Sequence, residues 1–295
     1  MSFFFNALNN WRKAFDESAA ASVNTLWISE NAMNQARAHI SDFAPTSTSP
    51  FTGISQSRFE TDLLARLQYP NAWNQNELNV CGASTFGRVW LLHDTLGFVQ
   101  SVMHLYYQGR VSYNGLLIEA NEAMFAQTPN SYMNVVDWLI AASLQNSSGL
   151  LGYNPTMELG GLRGIALPYK VVEWFEKLPN IDLHTSSKDH DWLRMNTTLN
   201  SGGAVSWLVN INHLDDYFTD TAYRQEEQGF FGKAAAFLGS FTGNHYIGLD
   251  SRLQFEGDHF KFKVWTWGTS LEVLIPPAEL EKAITKSIFV LPKNA

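Results

Sequence analysis

Apolar positions recur at helical spacing over much of the first two thirds of the chain and at every second position over parts of the last third. Phe4, Leu8, Trp11 and Phe15 form an i, i+4, i+7, i+11 stripe, which predicts a helical extension within residues 1–43 that packs on the main body. Residues 44–53 hold two prolines and several hydroxyl side chains and predict a connector. A stripe over 57–67 predicts a short helix, and Tyr69-Pro70-Asn71 then turns the chain into the polar loop before Cys81. Phe86, Val89, Trp90 and His93 lie at helical intervals. After Asp94-Thr95, a second run on Phe98, Val102, Leu105 and Tyr106 ends at Gly109. Further helices are expected over 134–145, on Val135, Trp138, Leu139 and Ala142, and over 168–178, where Pro168 suits a first turn.

From residue 204 onward the pattern predicts strands over 205–211, 244–249, 260–268 and 271–275. Phe260, Phe262 and Val264 alternate with Lys261 and Lys263, as on a strand with one buried face. Glu256-Gly257-Asp258 supplies a turn, so the second and third strands are expected to form a hairpin. Helices first and strands later predict an α+β fold, with an N-terminal helical part packed on a C-terminal antiparallel sheet. The expected division is a helical extension and linker over 1–53 and one main domain over 54–295.

Composition narrows the function classes. With 45% hydrophobic and 14% aromatic residues, the chain can build a sizeable core. A formal charge of −8 and a pI near 5.5 argue against nucleic acid as a partner. One cysteine excludes a disulfide framework and any cysteine-rich zinc site. The first residues lack a basic region followed by an apolar core, and the most apolar window, 229–249, is interrupted by Lys233, Asn244 and His245. These features predict a soluble protein with no stable membrane span that leaves its cell, if at all, by a signal-peptide-independent route, and the single cysteine leaves the compartment open. Gly160-Gly161-Leu162-Arg163-Gly164 lacks the lysine and phased glycines of phosphate-binding loops and reads as a turn. His184, Asp189, His190 and Asp191 fall in a polar segment without ligand spacing and read as a solvated loop. No metal and no cofactor are expected.

Cys81 stands where a polar loop enters a helix, and a helix N-terminus favours thiolate over thiol. The competing reading is a small buried hydrophobe. A nucleophile needs a base, and His245, just after Gly243-Asn244 at a strand start, is the best placed histidine. His213 is second, His259 lies in a turn, and His93 and His104 read as core or surface side chains.

Gln75 with Cys81 six positions on, Cys81-Gly82 opening a helix, and His245 heading a strand whose hairpin partner ends in Trp-Gly together resemble papain-like cysteine peptidases. Cys-Gly-Ala before a long helix, Asp137-Trp138, Asn-His-Tyr-Ile-Gly-Leu at 244–249 and Trp-Thr-Trp-Gly at 265–268 are similar to a bacterial branch, the predicted papain-like toxin domains of interbacterial, type VI-like secretion systems. The resemblance covers residues 70–110 and 240–270. It implies a papain-like fold and a cysteine hydrolase in which Cys81 attacks an acyl carbon. In it, Gln75 and the Cys81 backbone N–H hold the oxyanion, and His245 pairs with the thiolate. It implies a protein or peptidoglycan amide as substrate, an antibacterial role, and secretion machinery and an immunity protein as partners.

Two departures bear on these expectations. Ala83-Ser84-Thr85 follows where plant-type relatives carry a second cysteine and a tryptophan. Thr266 stands where the family has an orienting asparagine or aspartate, and its hydroxyl or a backbone carbonyl is expected to accept from imidazole Nδ1–H. Asp250 is the nearest acid, at an odd offset from His245 that points it to the other face, and a dyad without a third member is also workable. A deamidase or transglutaminase on the same dyad is the variant reading. A non-catalytic module that presents its aromatic side chains to glycan or protein is the reading from another class.

Overall fold

The computed structural model describes residues 28–73, 80–129, 133–148, 166–187, 191–220, 245–266 and 268–293. These fall into two units, one of residues 28–179 with 268–269 and the other of 180–266 with 270–293. The chain is α+β, with ten helices and a large antiparallel sheet among the described residues.

The first unit is mainly helical. It runs through α1 (Glu30–Asp42), α2 (Gln56–Gln68), a 3₁₀ turn (Pro70–Ala72), α3 (Cys81–His93) and α4 (Thr95–Gln108). A hairpin of β1 (Arg110–Tyr113) and β2 (Leu116–Glu119) follows, then α5 (Glu122–Phe125), α6 (Val135–Ser148) and α7 (Pro168–Phe175). The starts of α1 and α2 are closed by Ser29 and Ser55, whose hydroxyls accept from Ala32 N–H and Arg58 N–H, each at 3.2 Å. Asp94 ends α3 and caps α4 through Gly97 N–H at 3.1 Å, and Gly109 closes α4 with φ of 73°. Every residue of α3 from Gly82 to Leu91 is buried, so this helix runs through the middle of the unit. Phe86 and Trp90 pack there against Trp174, Phe175, Phe98 and Tyr113. The 44–53 segment also belongs to this packing. Ser47 and Ser49 donate to the Tyr107 and Tyr106 carbonyls at 3.1 and 2.6 Å, satisfying acceptors left over at the end of α4.

The second unit is a seven-stranded sheet in the order β3-β9-β4-β5-β7-β6, with β8 also on β7. Its strands are β3 (Ile181–Ser186), β4 (Ala204–Val209), β5 (His245–Leu249), β6 (Gln254–Glu256), β7 (His259–Thr266), β8 (Thr269–Ile275) and β9 (Ile284–Pro292). Three helices lie between them: α8 (Trp192–Asn200), α9 (Ile211–Leu214) and α10 (Pro277–Ala283). β4 and β5 are buried at every position, the mark of strands covered on both faces.

The expected pairing of the second and third strands is present, with Gly248 opposite Trp265 and Leu249 opposite Val264. The Glu256-Gly257-Asp258 turn, however, joins β6 to β7, with Glu256 opposite His259 and Gly257 at φ of 67°. β5 and β6 share β7 as partner and are separated by an irregular step where Asp250 N–H and Ser251 N–H both reach the Lys263 carbonyl, at 2.9 and 3.3 Å. Asn196 of α8 holds this step, its amide donating to the Leu253 carbonyl at 3.0 Å and its oxygen accepting from Leu253 N–H at 2.9 Å.

Candidate functional site

Cys81 is the first residue of the 13-residue helix α3, and its side chain is half-buried. The N-cap is Val80, which has no group to close the first turn, and no acidic residue stands in that turn. Among the described helices of eight or more residues, α1, α2, α4 and α8 do carry a Ser or Asp side-chain cap. Among the described residues, then, no N-cap side chain and no acidic side chain of the first turn meets the partial positive charge of the α3 terminus, an environment that stabilises a developing negative charge.

The segment leading to this helix is anchored by buried charge. Arg66 in α2 makes a two-pronged pair with Asp137 in α6, Nε to Oδ1 at 2.6 Å and Nη2 to Oδ2 at 2.7 Å, and its Nη1 donates to the Tyr69 carbonyl at 2.7 Å. Arg88 in α3 donates to Asn71 Oδ1 at 2.8 Å. Trp73 packs beside the Arg66–Asp137 pair, with the Arg66 guanidinium 5.7 Å from its ring centroid and Phe98 edge-on at 5.7 Å. Its ring needs the bare backbone of Gly87, where a Cβ would sit 2.5 Å from it. Sequence reading missed this anchor. The signal was Asp137 inside the apolar run Val135-Val136-Asp137-Trp138-Leu139-Ile140, since a carboxylate at a core position calls for a buried cation.

In the sheet unit, His245 opens β5 opposite Val209. Its ring is buried, 4% exposed, and desolvation pushes its pKa down to about 3, so the imidazole is neutral at ordinary pH. Leu249 and Val264 are partners and so share a sheet face, and alternation places His245 and Thr266 on that same face. Thr266 Oγ1 lies 2.8 Å from His245 Nε2, and Thr266 is fully buried. Thr266 thus lies within hydrogen-bond distance of the His245 ring, at Nε2 and not at the expected Nδ1.

Cys81 and His245 belong to different units, and Gln75 lies outside the described residues. Asp250 contributes its backbone N–H to the irregular step after β5. His213 Nε2 is 3.1 Å from Glu279 Oε2, a contact that links α9 to α10. His259 pairs with its neighbour Asp258 at 2.6 Å, and His93 Nε2 sits 3.0 Å from the Pro179 carbonyl.

The 160–164 loop, Asp189 and His190 lie outside the described residues, whereas His184 is exposed on β3 and Asp191 caps α8 through Arg194 N–H at 2.9 Å. Each described tryptophan is buried, so none of them presents an aromatic face to a ligand. No described helix is long and apolar enough to cross a membrane.

No family model matches the chain, and neither the curated proteins nor the solved structures contain a significant match.

Proposed function

We propose that the chain is a cysteine hydrolase of papain-like fold that forms an acyl-enzyme at Cys81 with His245 as base. The observation that carries this reading is the buried His245–Thr266 contact, a histidine whose ring is held in one orientation by a hydroxyl at the position an orienting residue would occupy. The start of α3, with Val80 at its N-cap and no acidic residue in its first turn, supplies the second half of the argument, because a helix N-terminus favours negative charge at Cys81 and at an oxyanion beside it.

With Nε2–H donating to Thr266, the Nδ1 lone pair takes the thiol proton as sulfur attacks the acyl carbon. The C–N bond then breaks and the leaving amine receives that proton. Water, deprotonated by the same nitrogen, cleaves the thioester and restores the thiol. The resemblance implies a thiolate–imidazolium ion pair, whereas burial holds the His245 imidazole neutral, so the thiol proton moves to it against that depressed pKa. Gln75 is assigned the second oxyanion donor on the resemblance alone. The same source supports an antibacterial effector acting on a protein or peptidoglycan amide, delivered by secretion machinery and neutralised by an immunity protein.

Mass spectrometry of target-cell proteins and muropeptides, exposed to native protein and to Cys81→Ala, tests the reading. New peptide termini or released muropeptide fragments that require Cys81 support a hydrolase. A mass change of about one dalton without cleavage would assign a deamidase on the same thioester chemistry. Full activity of Cys81→Ala would overturn the nucleophile.

A further inference from the structure

A cavity of about 580 Å³, within the size range of small-molecule pockets, opens between α1, the first three turns of α4 and the β1–β2 hairpin. The 13 residues of α3 put it roughly 18 Å along the helix from Cys81.

Its two ends differ in chemistry. At one end Asp94 supplies a carboxylate, and no lysine or arginine among the described residues lines the cavity. Oδ1 of Asp94 accepts from Gly97 N–H at 3.1 Å and Oδ2 accepts from Tyr113 Oη–H at 2.7 Å, so the group is fixed in place with lone pairs to spare. Burial and the adjacent carboxylate raise the Tyr113 pKa and keep its phenol protonated. Gly97 matters to this arrangement, because a Cβ there would collide with the Asp94 carboxylate.

At the other end stand two imidazoles, His39 from α1 and His104 from α4, each edge-on to Phe43 with centroids 5.9 Å apart. The Gln108 amide lies 3.3 Å from His104 Nδ1 and can only donate to it, which leaves Nε2–H as a donor. His39 Nε2 is buried and has no hydrogen-bond partner among the described residues, a group that a ligand would satisfy. Gln100 and Ser101 lie between the two ends on the same face of α4.

The geometry points to a binding site for a small zwitterion, with an ammonium on Asp94 and a carboxylate on His39 and His104. An ammonium replaces hydration with the Asp94 oxygens, and the carboxylate accepts from the imidazole N–H groups. This site does not depend on the acyl-transfer reading, since no side chain is shared with it.

Calorimetric titration of the full chain with glycine, β-alanine, γ-aminobutyrate and ε-aminocaproate tests the proposal, with caproate and hexylamine as the single-ended controls. At least one amino acid of the series is expected to bind more tightly than either control. Asp94→Asn keeps an equally good helix cap while removing the charge, and should weaken that ligand roughly 10- to 100-fold with little effect on caproate. His104→Leu should weaken the same ligand and caproate but not hexylamine. Unchanged melting temperatures would show that both variants fold. The proposal fails if no member of the series outbinds both controls, or if Asp94→Asn binds the best member as well as the native protein does.

Discussion

His245 Nε2 and Thr266 Oγ1 are 2.8 Å apart on neighbouring strands of the sheet, buried, with Thr266 at the end of β7 and His245 at the start of β5. Replacing Thr266 with valine keeps the shape and removes the hydroxyl. Losing a hydrogen bond to a buried ring nitrogen should cost about 1–3 kcal/mol, read from the denaturant midpoint at unchanged m-value. Serine should restore most of it. If His245 is the base, valine should also slow turnover by roughly tenfold or more while serine does not, because only the valine frees the ring to rotate.

The depressed pKa of His245 sets a pH dependence of stability. Its folded value near 3 lies below the ordinary 6.5, so between these pH values the unfolded chain binds a proton that the folded chain excludes. The stabilisation is complete above about pH 6.5 and falls by about 1.4 kcal/mol per unit as pH drops toward 3. Urea unfolding from pH 7 to 4, compared between native protein and His245→Gln, isolates this slope. The variant curve should be flatter by about one proton.

Removing one member of the Arg66–Asp137 pair strands a charge in the core. Asp137→Ala should cost about 3–5 kcal/mol, whereas Arg66→Met with Asp137→Leu should cost much less, since two apolar side chains leave no charge unpaired. A double-mutant cycle measures the difference. If the pair chiefly sets the path of the chain into α3, the double variant should keep its stability yet change the alkylation rate of Cys81.

Gly87→Ala should destabilise by about 1–3 kcal/mol, because the new methyl meets the Trp73 ring with no room to move. Trp73→Phe in the same chain should recover part of the loss, whereas in the native background it should only destabilise. Thermal melts of the two single variants and the double show the sign reversal.

Much of the helical unit was legible in the sequence because its signals are local. The breaks at Asp94 and Gly109, the proline that opens α7 and the apolar stripe of α2 each depend on neighbours within a turn or two. The Asn114-Gly115 turn is an equally local signal, since both residues take the positive φ, 47° and 80°, that such a hairpin needs.

The sequence by itself determined an α+β chain, a cysteine at a helix start and a histidine at a strand start, and left Thr266, Asp250 or no residue as that histidine's companion. Alternation fixes which side chains share a face, and the contact of His245 with Thr266 follows it. The sequence did not reveal that β9 lies between β3 and β4, or that His184 sits on a strand. Nor did it reveal that the contact uses Nε2, or that burial makes the ring neutral. Those outcomes depend on strand order, on ring orientation and on how much of the chain covers each group. Residues far apart in sequence decide all three, through contacts that no local pattern encodes. The Arg66–Asp137 pair, 71 residues apart, belongs with them: its carboxylate was visible as an anomaly in an apolar run, but only the packing of α2 on α6 named its partner.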